Sequence, residues 1–275
     1  MKGLIAGLER FRHGRTGVSF PGRRSGAAVR AYLWRDSGAG SAPHPNRFPA
    51  APFCTLTWFL SGTVHDGVSA AARVLPAVVV GGPFTRPATT FSAGRVHAFT
   101  IVFYPDAFAR LAGVDPAALA DRLVPADAVL PDAWHPLLRE VAGATDDRNR
   151  IACVETFLAR HVADAGGTRG WLSRLCDAAG VGRLGERQVE RNIRRATGQT
   201  LRTLRCAERF EAAILGARAA AAGGRVDWAG LACENAYSDQ PHLGRECRRF
   251  AGASPAELLA RVDDDESYWL YRHWR

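Results

Sequence analysis

Arg187, Arg191, Arg194 and Arg195 lie within Glu186–Gly198, and Arg245, Arg248 and Arg249 lie within Gln240–Gly252. Helical spacing puts each set on the outer side of one helix, with Val189, Ile193 and Ala196, or Leu243, Cys247 and Phe250, on the inner side. Guanidinium groups arrayed in this way do recognition chemistry rather than bond-making. Their planar forks fit phosphate oxygens and the acceptor edge of guanine. Each stretch closes on a glycine, Gly198 or Gly252, the residue that best tolerates a left-handed helix end. A solvated helix face is the ordinary reading of such arginines; two of them in matching frames favour a nucleic-acid partner.

The elements that would position these residues form two units. In the second, Trp228–Asn235 reads as a short helix and Asn235-Ala236-Tyr237 as a tight turn, with Tyr237 plugging the angle between helices. Ser238 is the expected N-cap of the next helix, Asp239 adds negative charge to its first turn, and Pro241 is tolerated there because first-turn amides lack intrahelical partners. Gly244 costs a helix interior about 1 kcal/mol relative to alanine, which points to close approach of a partner. In the first unit, Trp171–Ala179 precedes Glu186–Thr197, but the link Gly180–Gly185 is longer than the usual turn of about three or four residues. Leu201–Ala222 reads as a rigid connector. It would hold two reading heads on one face of a duplex, about 34 Å apart.

The whole chain has 275 residues, 47% hydrophobic content and a net charge of +9, enough for two modest domains with real cores and a preference for polyanions. Lys2 is the only lysine, so arginine abundance alone is not a sign of phosphate binding. No apolar run approaches the roughly 20 residues of a bilayer span; Val74–Gly82 is short and contains Pro76. Met1–Arg10 lacks the apolar core of a secretory signal. Cys54, Cys153, Cys176, Cys206, Cys233 and Cys247 show neither C-x-x-C pairing nor zinc spacing and read as thiols in a reducing compartment, hence a cytoplasmic protein.

Upstream of Arg169 the pattern is different. Residues 1–26 are rich in Gly, Arg and Ser and read as a loose lead-in, and the prolines of residues 36–52 read as loop. Ala28–Trp34, Phe53–Leu60, Arg73–Val80 and Val96–Phe103 read as strands. Asp106–Ala112 and Pro116–Arg122 read as short helices, Trp134–Gly143 and Arg148–Ala163 as longer ones, and Gly166-Gly167 as a hinge. The two longer helices would suit a dimer contact. Arg47–Pro52 with Trp58 would line a pocket mouth. His65 and His97 lack a His-x-His or carboxylate partner in sequence, so no metal is expected. The acidic-aromatic tail, 263–275, is expected to fold back and bury Tyr268, Trp269 and Trp274.

Arg169–Val262 resembles the C-terminal DNA-binding domain of the AraC/XylS family of bacterial transcription regulators, in which two helix-turn-helix units are joined by a connecting helix. The resemblance rests on Glu186–Gly198, on Ala236-Tyr-Ser-Asp-Gln-Pro-His-Leu243 and on Arg248-Arg-Phe-Ala-Gly-Ala-Ser-Pro255, and covers about a third of the chain. It implies an α+β chain: a β-rich, loosely cupin-like sensor domain with helices over 1–165, an all-α double helix-turn-helix domain over 168–262 and the tail. It places Arg187, Glu190, Arg191, Gln240, Pro241, Gly244 and Arg245 toward bases, and Arg194, Arg195, Arg248 and Arg249 toward phosphates. The partners it implies are promoter double-stranded DNA, a second copy of the chain, and room for a small-molecule effector and RNA polymerase, with no cofactor. The chain departs from the family pattern at Ala236, where glycine is usual and Asn235 would take the left-handed conformation instead, and at Cys247, where an aromatic is usual. With Pro241 and Gly244 offering little to read bases, discrimination would be shared unequally or rest on DNA shape. Two other readings stand beside this one. One is an enzyme with a DNA-targeting domain, although G-x-S-x-G and P-loop motifs are absent and Cys54 has no histidine nearby in sequence. The other is a protein-interaction module with degenerate DNA binding.

Overall fold

The computed structural model describes residues 5–11, 14–161 and 170–273. Its N-terminal part holds β1 (Ile5–Phe11), β2 (Gly14–Ser19), β3 (Val29–Asp36), β4 (His44–Phe48), β5 (Cys54–Ser61), β6 (Val64–Asp66), β7 (Arg73–Val74), β8 (Val78–Gly81), β9 (Ala88–Ser92), β10 (His97–Phe103) and β11 (Leu123–Pro125). Helices α1 (Pro105–Ala112), α2 (His135–Gly143) and α3 (Asp147–His161) complete it. Among the described residues the strands form a seven-stranded sheet, in the order β1-β2-β3-β10-β5-β8-β11, and a four-stranded sheet, β4-β9-β6-β7, with antiparallel pairing throughout. The C-terminal part is helical: α4 (Trp171–Ala179), α5 (Glu186–Thr197), α6 (Leu201–Ala222), α7 (Trp228–Glu234), α8 (Gln240–Ala251) and α9 (Pro255–Val262), ending in the 3-10 segment Glu266–His273. The chain is therefore α+β, β-rich first and helical second.

Strand β5 alternates buried and half-buried residues along Cys54–Phe59, which follows from the period of two in a strand. The face bearing Tyr32, Leu56, Trp58, Phe99 and Ile101 is covered by Phe108, Trp134, Leu137, Val141, Val154 and Leu158. Trp58 lies deep in this core, 1% exposed, with its indole N–H donating to the Leu138 carbonyl at 3.1 Å. It lines no pocket mouth. The segment Arg47–Pro52 turns instead toward the helical part, where the Ala50 amide donates to the Phe250 carbonyl at 2.7 Å. The four central strand expectations stand, with Arg73–Val80 divided into β7 and β8. Two loop expectations fail. Residues 1–26 supply β1, β2 and the 3-10 turn Ser25–Ala27, and the proline-rich 36–52 supplies β4, whose Asn46 amide donates to Ser92 Oγ at 2.9 Å. An edge strand needs fewer backbone donors, so β4 accommodates Pro45. Pro116–Arg122 is a 3-10 turn over Pro116–Leu119 rather than a helix. The Gly166-Gly167 hinge lies outside the described residues.

Both parts meet over a broad contact. The tail buries Tyr268, Trp269 and Tyr271, while Trp274 lies outside the described residues. Tyr268 and Tyr271 join Phe210, Phe250, Leu258, Val262 and Ala50 in one cluster, and Leu270 packs on Val18, Ala31 and Leu33. Arg35 pairs with Glu266 at 3.0 Å, its guanidinium 5.1 Å from the centre of the Trp269 ring. His273 Nε2 lies 2.9 Å from Thr16 Oγ1. The tail thus folds back as expected, but onto the sheet as well as the helices. No helix among the described residues is long and apolar enough to cross a membrane.

Candidate nucleic-acid interface

The second unit is set by short-range chemistry. Asp227 caps α7 by accepting from the Ala229 and Gly230 amides at 3.1 and 3.0 Å. The helix ends where the Tyr237 amide reaches back to the Ala232 carbonyl at 2.8 Å. Ala236, at φ 56°, takes the left-handed position, and Asn235 remains at φ −100°. The expectation for Asn235 is corrected: its side-chain amide is engaged with the Leu231 carbonyl at 2.9 Å. The cap of α8 is Asp239 rather than Ser238, its carboxylate accepting from the His242 amide at 2.6 Å. Tyr237 is 5% exposed and donates to Glu246 Oε1 at 2.8 Å. Burial and that carboxylate push the phenol's pKa up. Arg209 of α6 closes the network, 2.5 Å from Glu246 and 4.3 Å from the centre of the Tyr237 ring.

The first unit is built otherwise. Gly180 ends α4 at φ 88°, and the turn through Gly182 at φ 77° leaves Leu184 half exposed. Gly185, the N-cap of α5, offers no side chain; the two helices are tied by Asn192 donating to the Ala179 carbonyl at 3.0 Å and by Leu172, Leu175, Val189 and Ile193. This unit also leans on the sheet domain. The Trp171 ring stacks on Tyr104 with centroids 5.3 Å apart, and its N–H donates to Asp106 at 2.8 Å. A side chain at Gly198 would strike the Ala117 backbone at 2.9 Å.

The predicted arginines are outside both cores. Helices α5 and α8 each have 12 residues and each closes on a left-handed glycine, Gly198 at φ 71° and Gly252 at φ 73°. Arg187, Arg191, Arg194, Arg195, Arg245, Arg248 and Arg249 are exposed, as are Gln240 and Pro241. Gly244 is half-buried and a methyl group there would touch only the end of Arg248, at 3.7 Å. Glu190 is engaged: it pairs with Arg194 at 3.0 Å and accepts from the Leu201 amide at 3.4 Å, so it steadies the α5–α6 corner. Arg191 donates to Gln188. Sequence reasoning missed Arg202, Arg205 and Arg209 on α6, which share a cleft with His242, Arg245 and Arg249. Their spacing of three and four residues was visible in Leu201–Ala222, but only the α6–α8 packing shows what they face.

The other candidate chemistries are placed as well. His65 Nδ1 lies 2.9 Å from the Ala72 carbonyl and His97 3.5 Å from Asp147, and among the described residues no three His, Cys, Asp or Glu side chains group as metal ligands. Cys54 is fully buried, and burial pushes its thiol up to about 12, the opposite of nucleophile activation.

Residues 27–125 match the model of a family described as a domain of unknown function, DUF6597. No curated protein matches the chain. Among solved structures, ToxT from Vibrio cholerae is 9% identical, overlapping 80% of this chain and 97% of its own with a TM-score of 0.40. ToxT from Vibrio cholerae O395 is 12% identical, overlapping 81% and 98% with a TM-score of 0.38. Unsaturated fatty acid bound ToxT from strain SCE256 is 8% identical, overlapping 83% and 94% with a TM-score of 0.37.

Proposed function

We propose that the chain is a sequence-specific DNA-binding transcription regulator of the AraC/XylS type, acting in the cytoplasm, with 168–262 as its reading domain. The observation that carries the proposal is the pair α5 and α8. They match in length and closure, each follows a shorter helix across a turn, and each exposes arginines outside its core. On this reading Arg187, Arg191, Gln240 and Arg245 meet base edges, with Pro241 and Gly244 admitting the groove wall. Arg194, Arg195, Arg248 and Arg249 meet phosphates, which fix register. Glu190 holds the helix corner and can accept from a cytosine amino group only by releasing Arg194.

The sheet domain, 1–165, sets activity through its contacts with the reading domain, and the tail, 263–275, ties the two. The large sheet's inner face is filled by aromatic side chains, which favours an effector acting at the junction of the two parts. A second copy of the chain, through α2 and α3, would supply a second pair of readers, and RNA polymerase is the partner that a bound regulator addresses. The test is selection of bound genomic duplex fragments by the purified full chain. Enrichment of a motif, lost on Arg191→Ala with Arg245→Ala in a protein that still folds, is the expected outcome. An unchanged motif would mean that other side chains do the reading.

A further inference from the structure

We propose that the cleft between the first half of α6 and the outer side of α8 is a phosphate-binding site. Its volume is about 820 Å³, and Arg202, Arg205 and Arg209 face His242, Arg245 and Arg249 across it. Spacings of three and four residues line each set along one side of its helix. Glu246 is the one carboxylate in the lining, and it is already consumed. It is 7% exposed, paired with Arg209 and accepting from Tyr237. Arg209 is therefore anchored, whereas Arg202, Arg205, Arg245 and Arg249 have no ion pair or hydrogen bond among the described residues. The amino end of the 22-residue α6, capped by Thr200, opens at the same place and adds its own partial positive charge.

Like charges gathered in a concave site repel one another and focus the field, an arrangement that a bound anion relieves. The guanidinium fork matches phosphate oxygens in pairs, and forks from two opposed helices suit a group with several oxygens, or two such groups in a row. The shared chemistry has two sources. One is the DNA strand passing between the two reading units, which rests on the function proposed above and leaves Arg245 to its base edge while Arg202, Arg205 and Arg249 take the phosphates. The other is a free phosphate ester that occupies the cleft as a ligand.

The experiment uses the full chain, an Arg202→Ala/Arg205→Ala variant, and an Arg139→Ala/Arg160→Ala variant that removes the same charge from exposed positions on α2 and α3. Because Arg202 and Arg205 are exposed and make no internal bond, the first variant is expected to fold, which thermal melting checks. Affinity for a mixed-sequence duplex is measured between roughly 50 and 200 mM salt, and inorganic pyrophosphate is titrated calorimetrically. If DNA phosphates fill the cleft, the slope of log affinity against log salt becomes shallower by about 1 to 2 in the cleft variant alone, and pyrophosphate does not saturate. Arg202→Lys/Arg205→Lys keeps the wild-type slope. If a free phosphate ester fills it, pyrophosphate binds the wild type saturably and the cleft variant at least tenfold more weakly, with the duplex slope unchanged. Equal behaviour of the cleft and control variants in both arms overturns the proposal. A wild type with no duplex affinity at all defeats the DNA reading instead, and the pyrophosphate arm then decides the cleft alone.

Discussion

The two helical units, α4–α5 and α7–α8, carry similar outer helices on different foundations. In α7–α8 the corner is fixed from within: Ala236 makes the turn, Asp239 caps the helix, and Tyr237, Glu246 and Arg209 lock it to the connector. In α4–α5 the turn is glycine-rich, the N-cap offers no side chain, and the Asn192 bond and small apolar cluster between the helices are supplemented from the sheet domain by Tyr104, Asp106 and Ala117. Both units touch the sheet domain, the second where the Ala50 amide meets the Phe250 carbonyl, but the corner of the second is closed by its own side chains and the connector, whereas that of the first borrows side chains from the sheet domain.

Breaking each foundation in turn separates the two. Tyr237→Ala removes a buried ring and its bond to Glu246, which keeps Arg209, and we expect a loss of about 3–5 kcal/mol in chemical denaturation. Trp171→Ala removes the stack on Tyr104 and the bond to Asp106. We expect about 2–3 kcal/mol, with faster amide exchange in α4 and α5 and unchanged exchange in α8. Equal exchange changes in both units would erase the distinction. A smaller effect lies in the turns. Ala236→Gly relieves a left-handed alanine and should stabilise by about 1 kcal/mol, whereas Gly182→Ala, at φ 77°, should destabilise by a similar amount. The same sign at both positions would contradict the assigned turn geometries.

Much of this contrast was legible in the sequence. The Gly180–Gly185 link announced an irregular first turn, and apolar spacing located α4–α8 to within a residue or so. The strands at Cys54–Ser61 and His97–Phe103 were equally visible, because their alternation reflects one buried face. What escaped depends on contacts distant in sequence. β4 carries Pro45 and reads as loop until β9 pairs with it. Asn235 is the better left-handed residue by type, but its side chain is more useful bonded to Leu231, so the strain falls on Ala236. Arg209 reads as one more exposed arginine until α8 brings Glu246 beside it. The residues assigned to bases follow from the family resemblance, and in the fold all of them but Glu190 and Gly244 are exposed.

The smallest prediction concerns thiols. Cys54 and Cys247 are buried and both pushed up to about 12, whereas Cys233 is exposed. Iodoacetamide at mildly alkaline pH should label Cys233 in the native protein and reach Cys54 and Cys247 only on unfolding, as mass spectrometry would report. Because the folded protein holds these protons above the usual 9.0, the associated stability is present below that pH and fades as pH rises toward 12. Early labelling of Cys247 alone would show that the second unit opens by itself, against a corner locked by Tyr237, Glu246 and Arg209.

The most direct test of the central claim is duplex-fragment selection with the full chain and with Arg191→Ala and Arg245→Ala as separate variants. Two units that both read bases predict a motif of two half-elements about one helical turn, 34 Å, apart, each variant relaxing a different half. A single motif untouched by either substitution, or no enrichment from protein shown to be folded, would contradict it.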